Sequence, residues 1–139
     1  MAKTVLTNPY ISIAGTDLSA YVSKVTLQTT YDVLETTTFG ATAKSRVAGL
    51  ADNSVSLDFI QDFANSAVEQ TLNPTGSSLV GTSVAVIINP LTSSTTATNP
   101  KFTFNALVTD WTPVNGSVGA LSTISVSWPI SGAITKANS

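Results

Sequence analysis

The sequence predicts a mainly β protein: a β-sandwich or partly closed barrel with one flanking α-helix and a long loop or hairpin arm. Three observations carry that prediction. Apolar and polar residues alternate with a period of two over several stretches, the pattern of half-buried strands. Ser and Thr supply 40 of the 139 residues, while charged residues make up only 10%, so the polar surface is largely uncharged and compatible with extended chain. Only one stretch departs from period two toward helical spacing. The length suits a single domain over 1–139, large enough to bury a core without staples.

In chain order, Tyr10 to Ile13 and Tyr21 to Leu27 read as short strands around the turn Ala14-Gly15-Thr16-Asp17. A longer stretch, Asp32 to Asn53, follows, and a compact domain seldom leaves so many residues as an unstructured connection. It holds Leu34, Phe39, Val47 and Leu50, together with Lys44 and Arg46, two of the six basic residues. Such a segment forms a hairpin arm of its own or packs on a neighbour, because apolar side chains on an exposed tip are a liability in a monomer and useful in an assembly.

The alternating stretch Ser54 to Ile60 places Val55, Leu57 and Phe59 inward. From Asp62 to Asn73 the spacing changes. Phe63, Ala67, Val68, Thr71 and Leu72 fall on one helical face, Asp62 is placed as an N-cap, and Pro74-Thr75-Gly76 marks the stop, which predicts a helix over about 62–73. A helix of that length is marginal alone in water, so its stripe should be buried against a sheet.

Ser83 to Asn89 reads as a buried strand closed by Pro90. Leu91 to Pro100 is a Ser/Thr-rich connection with no expected core residue after Leu91. Lys101 to Trp111 alternates with Phe102, Phe104, Ala106 and Val108 on one face and Leu107 and Trp111 on the other, so both faces should touch something. In the last strand, Thr123 to Trp128, the inward residues are Ile124, Val126 and Trp128. Both tryptophans are expected in the core, although Trp111 with the tyrosines also allows a carbohydrate-binding reading.

Composition removes whole classes of chemistry. The chain has no Cys and no His, so it has no disulfide framework, no thiolate metal site, and neither a Ser-His-Asp nor a Cys-His nucleophile. The expectation is a protein that is not an enzyme and holds no cofactor or metal. Asp58 and Asp62 lie four apart, but one falls on the polar face of a strand and the other reads as a cap. Asp17 and Asp52 lack the spacing of a calcium loop. Gly116-Ser117-Val118-Gly119 sits in a hairpin turn without the helix that a phosphate site requires.

With a net charge of −2 and no basic tract, there is no footprint for gripping a nucleic-acid backbone. Met1-Ala2-Lys3-Thr4 opens no apolar signal core, and no apolar run approaches the roughly 20 residues of a membrane span, so a soluble chain made in the cytoplasm is expected. Few charges also mean little self-repulsion, which favours association between copies.

The order of several pieces resembles the tail tube, or major tail, proteins of long-tailed bacteriophages. These are Tyr31-Asp32-Val33-Leu34-Glu35-Thr36-Thr37-Thr38-Phe39-Gly40, then Lys44-Ser45-Arg46-Val47-Ala48-Gly49-Leu50-Ala51-Asp52-Asn53, and the alternating strand from Ser54 to Phe59. Gln61-Asp62-Phe63-Ala64, Thr98-Asn99-Pro100 and the ending Trp128-Pro129-Ile130-Ser131-Gly132-Ala133-Ile134-Thr135 are similar to small tail proteins of actinobacterial phages and prophages.

The resemblance implies a structural virion protein, a homohexameric ring that stacks into a tube whose lumen passes DNA as cargo. It implies further partners among tail proteins, such as the tape measure, terminator and distal tail proteins, and a place in the virion tail after synthesis in the bacterial host. The arm 32–53 would reach a neighbouring subunit or ring, with Leu34, Glu35, Phe39, Lys44, Arg46, Val47 and Leu50 as its interface residues, and Met1 to Pro9 and Ser131 to Ser139 would add contacts between rings. Glu35 with Lys44 or Arg46 is a candidate intersubunit ion pair. A neutral to acidic lumen is expected, with Asp17, Asp52, Asp58 and Asp110 as candidates, because phosphates slide where they meet no dense cationic lining. The alternative is a capsid decoration or minor head protein.

Overall fold

A computed structural model describes residues 5, 8–63, 67–74, 76, 78–91 and 95–138. Its elements in order are β1 (Tyr10–Ile13), β2 (Thr16–Asp17), a 3-10 turn (Ser19–Tyr21), β3 (Val22–Glu35), β4 (Arg46–Ile60), α1 (Val68–Leu72), β5 (Ser83–Asn89), β6 (Lys101–Leu107) and β7 (Thr123–Ala137). All pairings are antiparallel, in the order β2-β1-β5-β6-β7-β4-β3, and the ladder stays open between its edge strands β2 and β3. The protein is therefore mainly β and sandwich-like, with one helix, and is not closed into a barrel.

The sandwich arises because β7 changes partners halfway. Its first half pairs with β4, from Ile60↔Thr123 to Ser54↔Pro129. Its second half pairs with β6, from Ala106↔Ile130 to Lys101↔Ala137. Pro129, which has no backbone N–H to donate, stands at the switch, where a ladder bond is most easily dispensed with. A register shift between Thr103 and Asn105 follows at once, and Gly132 opposite it takes φ +92°, a conformation open to glycine. Strands that bend from one sheet to the other in this way make the corner of a sandwich.

One core fills the space between the two halves. Val55, Leu57 and Phe59 of β4 and Ile124, Val126 and Trp128 of β7 meet Val84, Val86 and Ile88 of β5, joined by Ile11, Ile13, Phe104 and Ala106. Alternation holds residue by residue over 53–60 of β4, 83–88 of β5 and 123–130 of β7. Trp128 is fully buried, and its indole Nε1 donates to the Asp110 carbonyl at 3.0 Å. Trp111 is half-buried, edge-on to Phe59 at 5.6 Å between ring centroids, so both tryptophans serve the core.

Four sequence expectations are revised. The helix spans Val68–Leu72 rather than 62–73, its N-cap residue is Ala67 rather than Asp62, and Phe63 points into solvent; residues 64–66 lie outside the described residues. Strand β6 ends at Leu107, not Trp111. Strand β7 continues nine residues past Trp128, to Ala137. The 91–100 connection does contain a buried residue: Asn99 is closed off from water and its Oδ1 accepts from the Leu91 N–H at 2.9 Å.

Candidate assembly surface

The stretch 32–53 is the outer part of a long β-hairpin. Strands β3 and β4 pair from Val22↔Phe59 out to Glu35↔Arg46. Strand β7 leaves β4 at Ser54, so the eight residues from Arg46 to Asn53 run beside β3 alone, a ribbon of about 25 Å. None of the residues from Gln28 to Asp52 is buried. A two-stranded ribbon is marginal by itself in water, and this one is kept in register by its turn. There the Thr36 N–H donates to the Ser45 carbonyl at 2.8 Å, the Ser45 N–H donates to Thr37 Oγ1 at 2.8 Å, and Gly40 supplies the positive φ.

The expected arm residues are all exposed. Leu34 and Val47 are cross-strand partners and so lie on one side of the ribbon. Phe39 occupies the turn with its ring entirely in water, and Leu50 is 84% exposed. Glu35 and Arg46 face each other at the last rung within a single chain, while Lys44 sits in the turn. Tyr31 and Val33, not singled out from the sequence, are exposed as well.

The inner side of the ribbon looks across a cleft at the second half of β7. Two adjoining hollows, of about 330 and about 560 Å³, share Thr29, Phe102 and Ile134. The deeper one is apolar, with Val25, Leu27 and Ile88, and the outer one reaches Tyr31, Leu50 and Lys136. Asn53 belongs to its wall. It is 6% exposed, its Nδ2 donates to the Gly132 carbonyl at 3.0 Å, and its Oδ1 has no hydrogen-bond partner. No sequence signal marked this cleft, because its walls come from segments a hundred residues apart.

The four candidate lumen acids are not gathered on one surface. Asp52 and Asp58 share the outer face of β4, where Asp58 lies opposite Lys24. Asp17 belongs to the far edge strand β2 and accepts from the Ser19 N–H at 2.9 Å. Asp110 lies in the loop after β6. The outer face shared by β3, β4 and β7 is rich in hydroxyls: Thr26, Ser54, Ser56, Ser125 and Ser127 line it, and Ser56 Oγ donates to Ser127 Oγ at 3.3 Å.

Among the described residues no group of three or more Asp or Glu side chains is placed to hold a metal ion, and no helix is long and apolar enough to cross a membrane. No protein-family model matches the chain, and no curated protein matches it at a significant level.

Proposed function

We propose that this chain is a structural subunit that assembles with copies of itself, the tail tube subunit of a long-tailed bacteriophage, building stacked hexameric rings around a lumen that conducts DNA. The observation that carries the reading is the β3–β4 ribbon, which extends past the core with Leu34, Phe39, Val47 and Leu50 in water. Exposed apolar side chains on an ordered ribbon gain most when a neighbour covers them. The likeness of the 31–59 stretch to tail tube proteins supplies the particular assembly. Support for the wall comes from the hydroxyl-rich outer face, where Asp52, Asp58 and the single cation Lys24 offer a polyanion little to grip. Tape measure, terminator and distal tail proteins are the further partners in this reading, and no catalysis is part of it.

Negative-stain microscopy of the purified chain tests it, with rings or tubes about a central pore as the expected result. Isolated small particles at every concentration count against it and favour a capsid decoration or minor head protein. Deleting Glu35 to Ala48 should leave a folded domain that no longer assembles, because the segment contains no buried residue.

A further inference from the structure

We infer that the cleft between β3 and the second half of β7 receives the 108–122 loop of a second copy of this chain, joining copies head to tail. The inference rests on the self-assembly reading above and names a contact separate from the arm tip. The cleft asks for a particular occupant. Its deep part is apolar, Asn53 stands in its wall, and its rim carries Lys136. A matching segment brings aliphatic side chains and a negative charge.

The loop between β6 and β7 has those properties. Val114 and Leu121 are mostly exposed and Val118 is 107% exposed, so the described residues leave them largely uncovered. Asp110 lies in the loop, and no Lys or Arg occurs from 108 to 122. The loop is also held in shape: Asn115 Nδ2 donates to the Thr123 carbonyl at 2.8 Å, Ser122 Oγ to the Asn115 carbonyl at 2.6 Å, and the Ala120 N–H to the Ser117 carbonyl at 3.1 Å. A preformed loop loses little conformational freedom on docking.

A chain cannot place this loop in its own cleft. Gln61 fastens it to the far end of β4, the Gln61 N–H donating to the Ser122 carbonyl at 3.0 Å and Nε2 to the Pro113 carbonyl at 2.6 Å. Ala51, on the outer part of the cleft, lies ten positions back from Gln61, about 33 Å away, and the deeper part, at Val25 opposite Leu57, is nearer. The loop and the outer part of the cleft therefore lie toward different ends of the β3–β4 pair, and a contact between unlike patches leaves one of each free for the next copy. Such contacts generate rings when the rotation closes and filaments when it does not.

The test uses the purified full-length chain, with assembly read by sedimentation velocity and folding by near-ultraviolet circular dichroism. Lys136→Glu and Asp110→Lys alone should each weaken association by about tenfold, and the double variant should recover most of that loss. Val118→Asp should block assembly while the monomer spectrum is unchanged. If Val118→Asp and both single charge variants assemble like the parent, and deletion of Glu35 to Ala48 still abolishes assembly, the loop-in-cleft contact is overturned and the arm reading stands. A parent chain that remains monomeric at all concentrations overturns both.

Discussion

Trp111 Nε1 donates to Glu69 Oε2 at 2.7 Å, tying α1 to the loop that follows β6. The same carboxylate accepts from Asn73 Nδ2 through Oε1 at 3.1 Å, and only 9% of Glu69 is exposed. A five-residue helix has little stability of its own, so its attachment depends on this carboxylate and on the burial of Val68 and Leu72. Glu69→Ala removes the acceptor of three donors, Gln61 Nε2 at 3.5 Å being the third, and leaves the indole N–H without its partner. The expected loss is about 2–3 kcal/mol in urea unfolding, with Glu69→Gln intermediate because an amide offers only one acceptor oxygen. An unchanged midpoint for Glu69→Ala would mean that apolar burial alone docks the helix.

Trp128 is the largest side chain fully enclosed in the core. Replacement by Phe keeps most of the aromatic contact with Phe59, whose ring centroid lies 6.4 Å away, but removes the N–H that satisfies the Asp110 carbonyl. Replacement by Ala adds a cavity of most of a side chain. The expected order is Trp128→Ala, at about 3–5 kcal/mol, well beyond Trp128→Phe. Thermal or urea unfolding checks it, and equal losses for the two would show that the hydrogen bond, not the packing, is what Trp128 contributes.

The strands of the core were readable because burial there follows strict alternation. Val55, Leu57 and Phe59, or Ile124, Val126 and Trp128, announce a face without help from distant parts of the chain. What escaped has physical reasons. The alternating pattern that marks the last strand stops at Trp128, yet at a change of partner the missing N–H of Pro129 does little harm, so β7 runs on to Ala137. Of the helical spacing from Phe63 to Leu72 only Val68–Leu72 forms a described helix, because Phe63 turns to solvent and the N-cap residue, Ala67, has no side-chain acceptor. The arm was legible as a surplus of exposed apolar residues. The cleft was not, since Asn53 and Gly132 meet only through the fold, 79 positions apart.

Gly49 sets the direction of the arm. Between Tyr31↔Ala51 and Val33↔Ala48 the register slips, so that Gly49 and Leu50 together stand opposite Asp32. A Cβ on Gly49 would lie 3.1 Å from Asp32 Cβ and 3.3 Å from the Asp32 carbonyl oxygen. The second contact is with backbone, which cannot swing aside as a side-chain end can. Ala therefore requires a shift of a few tenths of an ångström, whereas the branched methyls of Val require the bulge to open, turning Leu34, Phe39 and Val47 away from their present direction. Because nothing from Gln28 to Asp52 is buried, the core should hardly register the change, and Gly49→Val is expected to cost below about 1 kcal/mol in unfolding. Assembly should suffer more than stability, with Gly49→Ala mild and Gly49→Val severe by sedimentation velocity. A Gly49→Val chain that assembles normally would show that the direction of the ribbon is not what its neighbour reads, and a loss of stability as large as that of Trp128→Ala would place the bulge within the cooperative core.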